Sequence, residues 1–235
     1  MGSTFIVPLD GGGSELLTQL TDVAPYVQGA GRLAELVAAV RMTGIDTLEV
    51  LDVGGGLGIR YRDEEPLDPR QWAQAVTPVV RATGLALHLE PGRFLVGAAG
   101  VLLTRVLYRK HSGGKEFVIV DAGMNDLERP SRYQAYHAIV PVTAREGPAL
   151  TADVVGPVCE TGDFFAIDRE LAPLEAGDLV ALLGAGAYGF AMASNYNTRP
   201  LPAEVIVEHG TAWLARPRQA VEDLFRDERV SSEAS

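Results

Sequence analysis

An α/β unit followed by a β domain is the architecture this sequence predicts, and three observations predict it. Leu48, Val50 and Leu51 lead into Gly54-Gly55-Gly56-Leu57-Gly58, and Leu85, Leu87 and Leu89 lead into Glu90-Pro91-Gly92-Arg93. Each of these apolar runs follows a helical pattern, the order of neighbouring strands in a parallel (β/α)8 barrel, where phosphate is held by loops after the last strands. Beyond residue 97 the texture changes to short β-branched runs bounded by Gly, Pro and Asp, the mark of an antiparallel sandwich or barrel. The expected organisation is a divergent start or junction over 1–18, the closing part of a barrel over 19–97, and a β domain with a terminal helix over 98–235.

Taken in order, Met1-Gly2-Ser3 and Gly11-Gly12-Gly13-Ser14 read as a flexible junction rather than an element. A helix starts near Asp22, with Pro25 in its first turn, and places Val27, Ala30, Leu33, Val37 and Val40 at three-to-four spacing before Gly44. Asp68-Pro69 announces a second helix, a cap followed by proline, with Trp72, Val76, Val79 and Val80 on its apolar side and a kink at Pro78. In the strand that follows, period-2 geometry sets Ala86, His88 and Glu90 on one face and the leucines on the other. Glu90 then points inward, at the mouth of the barrel. Runs at 101–110, 117–121, 138–143, 152–159, 178–183 and 203–208 supply the β domain, and Pro217 opens a last helix carrying Val221, Leu224 and Phe225. Only two helix–strand units are present, whereas a complete barrel needs eight.

Composition narrows the function classes. A net charge of −11 with no basic face argues against nucleic-acid or anionic-membrane partners. Hydrophobic content of 47% and charged content of 22% are those of an ordinary globular chain. Cys159 is the one cysteine, which excludes an internal disulfide and a cysteine-cluster metal site. The four histidines, His88, His111, His137 and His209, are scattered in no ligand pattern, so no metal is expected and none is given a role. The apolar run from Phe94 to Thr104 is too short to span a bilayer, and a cytoplasmic setting is expected.

Strands that stop at glycine-rich turns leave backbone N–H groups facing one point, as a phosphate requires. The segments LDVGGGLGIRY, LEPGRFLVGAAGVLLTRV, FVIVDAGMNDLERPSRYQAYH, VVGPVCETGDFFAIDREL and GAGAYGFAMASNYNTRPLPAEVIV occur in that order. Together they resemble the second half of the diaminopimelate decarboxylases over roughly residues 19 to 228. That family uses pyridoxal 5'-phosphate and pairs an alanine-racemase-like barrel with a C-terminal β domain.

The resemblance implies specific roles. Gly54, Gly55 and Gly56, with Gly92 and the Arg93 backbone, would cradle the cofactor phosphate, and Glu90 would keep the pyridine nitrogen protonated. Arg93, Arg129 and Tyr133 would hold the substrate's distal carboxylate, the arginines as bidentate donors. Cys159 would return a proton to carbon as general acid. Glu160 would bind the distal ammonium, and Tyr188 would touch cofactor and substrate. In the family the Cys-Glu loop enters the neighbouring subunit's site, which implies a homodimer. Each residue alone has a plainer reading: Cys159 and Tyr188 as packing, Arg129 and Tyr133 as surface groups beside Pro130, Glu90 as a solvated strand end. Asp121 and Asp126 read as turn and capping carboxylates.

The sequence also departs from the family. The lysine that tethers the cofactor aldehyde is missing, since Lys110 and Lys115 flank a hairpin turn, His111-Ser112-Gly113-Gly114. Where the family has His-Ile-Gly-Ser-Gln, this chain has Glu15-Leu16-Leu17-Thr18-Gln19, keeping only Gln19. Arg132 stands where an aliphatic residue is usual, and Gly184 where an acidic one is common. The expectation is an N-terminally truncated decarboxylase of meso-2,6-diaminopimelate that is inactive alone. The alternatives are a non-catalytic remnant that binds or dimerises with a decarboxylase, and a decarboxylase of an ornithine- or arginine-like amino acid.

Overall fold

The computed structural model describes residues 19–229; the expected junction over 1–18 lies outside them. The chain divides into two compact units, Met1–Ala99 and Gly100–Ser235.

The described part of the first unit runs α1 (Ala24–Met42), β1 (Val50–Asp52), α2 (Pro69–Arg81), β2 (Ala86–His88) and α3 (Gly92–Val96). Asp22 accepts the Ala24 amide at 2.8 Å and Asp68 the Arg70 amide at 2.8 Å, so side-chain oxygens satisfy first-turn donors at both long helices. β1 and β2 pair in parallel, Val50 with Ala86, Leu51 with Leu87 and Asp52 with His88. Ala30 and Val37 of α1 pack with Trp72, Val76 and Val80 of α2 and with Leu51. The Tyr26 ring meets Trp72 edge-on at 5.9 Å, which turns α1 so that Tyr26 is buried and Val27, expected inside, lies outward. No barrel is present among the described residues. Two parallel strands of three residues each are the whole of this sheet, so the barrel expectation reduces to one helix-flanked parallel pair.

In the second unit, β3 (Val101–Ser112), β4 (Lys115–Val120), β5 (Ile139–Pro141), β6 (Leu150–Val155), β7 (Phe164–Leu171) and β8 (Leu179–Leu183) form one sheet in the order β5-β8-β3-β4-β6-β7. A short helix, α4 (Arg129–Tyr133), lies between β4 and β5. The hairpin from Ser112 to Lys115 turns through Gly113 and Gly114, both at positive φ, the conformation a two-residue turn demands. The sheet is mixed rather than wholly antiparallel. β4 and β6 run parallel, Phe117 opposite Asp153 and Ile119 opposite Val155. Residues 121–149 lie between them, well beyond the dozen or so that a parallel crossover needs. β9 (Glu204–Glu208) and β10 (Thr211–Arg216) make a separate exposed hairpin.

β7 and β10 were not expected. Asp168, Arg169 and Glu170 break the apolar run of β7, and every residue of β10 is exposed, so neither shows strand alternation. The run expected to reach residue 159 stops at Val155, before Gly156-Pro157. After Pro217 a single 3-10 turn, Val221–Phe225, replaces the expected helix. No helix among the described residues is long and apolar enough to cross a membrane.

The second core gathers Val106, Val118, Val154, Phe165, Val180 and Leu182, with Phe165 only 1% exposed. Phe165→Ala is expected to lower unfolding free energy by about 3–5 kcal/mol, measured by urea denaturation. An unchanged midpoint would show that Phe165 does not anchor this core.

Candidate functional site

In the first unit the two glycine-bearing strand ends lie against each other. Asp52 accepts the Gly54 amide at 2.7 Å, the Glu90 amide donates to the Gly54 carbonyl at 2.9 Å, and the Gly92 amide donates to the Glu90 carbonyl at 2.8 Å. A Cβ on Gly55 would overlap the Glu90 carbonyl oxygen, so only glycine permits this approach. Gly54 and Gly56 take positive φ on either side of Gly55. The amides of Gly55 and Gly56 meet no acceptor among the described residues. Unspent amides on a backbone that alternates in this way make an anion-binding concavity. Glu90 is exposed. Arg93, on α3, donates to the Tyr61 hydroxyl at 3.4 Å and holds its guanidinium 5.8 Å from that ring's centre. Gln19 closes the far side: its carboxamide bonds both the carbonyl and the amide of Ile59, just past the glycine turn.

In the second unit α4 presents Arg129 and Tyr133. Arg129 is buried, and its Nη1 lies 2.8 Å from His137 Nε2. His137 Nδ1 lies 2.8 Å from the Leu183 carbonyl oxygen. A carbonyl only accepts, so Nδ1 carries the proton and Nε2 accepts from Arg129. Tyr133 is exposed, and Arg132 covers its ring at 5.6 Å while pairing with Glu128 at 3.2 Å.

Cys159 and Glu160 stand exposed on the loop between β6 and β7. Glu160 accepts from the Tyr196 hydroxyl at 3.2 Å, and that bond pushes Tyr196 above the ordinary tyrosine value. A Cβ on Gly162 would lie 2.7 Å from Ser131 Oγ, so the loop abuts α4. The structure thus brings the Cys159–Glu160 loop beside the helix of Arg129 and Tyr133. Tyr188 occupies another segment of this unit, at a left-handed φ of 58° between Ala187 and Gly189. Lys115 pairs with Asp153 at 3.2 Å and Asp168 at 3.0 Å, and Lys110 is exposed on β3. Among the described residues no group of three His, Cys, Asp or Glu is placed to hold a metal.

Three carboxyls tie these loops down, Asp121 at an exposed position and Asp126 and Asp163 buried. Asp121 accepts from the Thr104 hydroxyl at 2.6 Å and the Arg105 amide at 2.8 Å; burial raises its proton affinity, but these bonds prevail and hold it below the carboxylate range. Burial pushes Asp126 and Asp163 up, against amide donors and the Arg199 charge. Both bind protons more tightly folded than unfolded, so their contribution to stability is full below the ordinary value of 3.8 and is lost as pH rises through their folded values.

With this geometry in hand, the profile of the pyridoxal-dependent decarboxylase C-terminal sheet domain matches residues 20–186. The chain belongs to this decarboxylase family. Diaminopimelate decarboxylase of Aquifex aeolicus is 47% identical over 204 residues, covering 86% of this chain and 48% of that protein. The enzyme of Pseudomonas fluorescens is 50% identical over 216 residues, covering 92% and 51%. The crystal structure of Helicobacter pylori diaminopimelate decarboxylase complexed with L-lysine superposes with a TM-score of 0.82 at 44% identity, covering 90% of this chain and 52% of that one. The chain therefore spans about half the length of the decarboxylases it matches.

The family's cofactor is a pyridoxal, and the donor set of the first unit suits it in part. Glycine amides with no acceptor among the described residues fit a phosphate, and a carboxylate at Glu90 fits a pyridine N–H. Residues 19–99 contain no lysine, so this unit offers no amine to the aldehyde. His137, Asp163 and Tyr196 take part in the second cluster although sequence reasoning gave them no role. Asp163 closes the GPVCETGD motif and was legible there; His137 and Tyr196 are joined to it only by folding.

Gly55→Ala is expected to destabilise the first unit by about 1–3 kcal/mol and to weaken capture of inorganic phosphate, read by 31P line broadening. Unchanged broadening would mean that the anion is not held at this turn.

Proposed function

We propose that this chain carries the phosphate-binding and substrate-recognising part of a pyridoxal 5'-phosphate-dependent carboxy-lyase converting meso-2,6-diaminopimelate to L-lysine and carbon dioxide. The supporting observation is the abutment of the Cys159–Glu160 loop on α4, which sets Glu160 beside the helix of Arg129 and Tyr133. A substrate with both an ammonium and a carboxylate at its far end suits that pairing. Ornithine has no distal carboxylate for two arginines to bind. In this reading residues 19–97 belong to the cofactor-binding barrel and residues from 98 onward to the β domain.

Gly54, Gly55, Gly56, Gly92 and the Arg93 backbone hold the phosphate. Glu90 holds the proton on the pyridine nitrogen. The bound cofactor supplies the electron-accepting ring that loss of carbon dioxide requires. Arg93, Arg129 and Tyr133 orient the distal carboxylate, Glu160 the distal ammonium, and Cys159 delivers a proton to carbon. Tyr188 would touch cofactor and substrate. A homodimer in the cytoplasm belongs to the same reading: the Cys159–Glu160 loop is exposed beside α4, so two copies paired over this face would set each copy's Glu160 toward the Arg129 and Tyr133 of the other.

A second reading, a non-catalytic partner of a decarboxylase, draws on one observation. The two lysines sit in the β3–β4 hairpin, and Lys115 is engaged by Asp153 and Asp168. One experiment separates the readings. The purified chain alone should release no carbon dioxide from meso-diaminopimelate. Joined to the lysine-bearing half of the Aquifex aeolicus enzyme, it should release it, with meso-diaminopimelate preferred over ornithine. Cys159→Ser in that protein should lower kcat by about 10²–10⁴. Turnover by the chain alone, or a preference for ornithine, would overturn the proposal; an inactive joined protein would leave the partner reading standing.

A further inference from the structure

Asp163 is the least expected acid of the second unit: it is 5% exposed, and among the described residues no cation's nitrogen lies within ion-pair distance of it. Its two oxygens face different parts of the chain. Oδ1 accepts the Met124 amide at 2.7 Å, and Oδ2 accepts the Val158 amide at 2.5 Å. The backbone of the same loop closes around it. The Gly156 amide donates to the Asp163 carbonyl at 3.1 Å, the Asp163 amide to the Glu160 carbonyl at 3.0 Å, and the Glu160 amide to the Val158 carbonyl at 2.8 Å. A Cβ on Gly156 would lie 2.5 Å from both carboxylate oxygens, so the loop has no room for a side chain there. Met124 belongs to a segment that is itself fixed: Arg199 donates to Asn125 Oδ1 at 2.8 Å and to the Asp121 carbonyl at 2.7 Å.

We propose that Asp163 is the positioning residue of the Cys159–Glu160 loop, its carboxylate clamping Val158 to Met124 so that the thiol and the Glu160 carboxylate are presented at a fixed place. Asp163 touches neither substrate nor cofactor; it acts through the two residues that follow Val158. Two amides donating to two oxygens is a demand that a carboxylate meets and a carboxamide does not, because the NH2 of asparagine faces one of the donors. The proposal rests on reading Cys159 and Glu160 as the reacting loop, and the two can fail separately. Cys159→Ala without loss of decarboxylation in the joined protein would remove the thiol's role and leave the clamp untouched.

The test uses the full chain and Asp163→Asn, which conserves volume. Amide exchange at Met124 or Val158 should quicken by about tenfold or more, while Val118 and Val154 in the sheet stay unchanged. The Tyr196 hydroxyl, followed by NMR of 13C-tyrosine-labelled chain, should titrate lower than in wild type as Glu160 leaves it, a change that loss of packing alone would not produce. Gly156→Ala, which displaces the carboxylate without removing it, should give the same signature. Unaltered exchange and an unaltered Tyr196 titration in a folded variant would overturn the clamp. If neither variant folds, the wild-type chain decides: Met124 and Val158 amides protected like those of Val118 and Val154 support it, and exchange at open-loop rates overturns it.

Discussion

Backbone brought against backbone, too close for a Cβ, is the constraint on which the functional parts of this chain depend. Gly55 lies under the Glu90 carbonyl, Gly156 under the Asp163 carboxylate, Gly189 against the Ala185 carbonyl and Gly100 against Gly186. At the first three the missing side chain lets an oxygen acceptor sit where an alanine methyl would be, and at Gly100 it lets the Gly186 backbone pass. The first of these approaches lies at the turn whose Gly55 and Gly56 amides meet no acceptor among the described residues, and the second closes the loop below Cys159. Conformational freedom is lost at every such glycine on folding, and the surrounding bonds must offset it. Asp52, Glu90 and Gln19 do so around the first turn, and Asp163 and Arg199 around the second.

How far the sequence disclosed this differs by element. The helices showed themselves because Asp22 and Asp68 stand where first-turn donors need an acceptor and because Trp72, Val76 and Val80 repeat at helical spacing. The β3–β4 hairpin was visible in Gly113-Gly114. β7 was not, since its Asp168 and Arg169 serve partners elsewhere in the unit, Asp168 meeting Lys115 of β4 and Arg169 the His137 carbonyl and the Tyr136 ring between α4 and β5. The parallel pairing of β4 with β6 was hidden for another reason. Strand direction depends on the path of residues 121–149, and no local pattern records it. Two parallel strands carry the same glycine endings in a barrel as in the single pair seen here, which is why the barrel expectation went too far.

In each unit's candidate cluster, the residues with motif neighbours were legible and those joined by folding were not. Gly54 to Gly56, Glu90, Arg93, Arg129, Cys159 and Glu160 all sit in runs with a recognisable spacing. His137 gave no signal, because what matters is the Leu183 carbonyl that fixes its tautomer, some forty-six positions away. Arg129 shows the complementary lesson. It is 6% exposed, and its Nη1 lies 2.8 Å from His137 Nε2, a nitrogen left to accept because Nδ1 faces the Leu183 carbonyl, so folding sets the direction of the guanidinium.

The crossover between β4 and β6 also bears on how the chain reaches this state. Phe117 and Asp153 become neighbours only after thirty-odd intervening residues have been drawn into a closed circuit, and the entropy of that closure is lost before any pairing is gained. Two hairpin partners, β3 with β4 and β6 with β7, can assemble beforehand from nearby sequence. The seam between them is then the slow event in the second unit. Until it zips, the edge of β4 stands open to any stray strand, and a nascent chain is most vulnerable to misassociation in that interval.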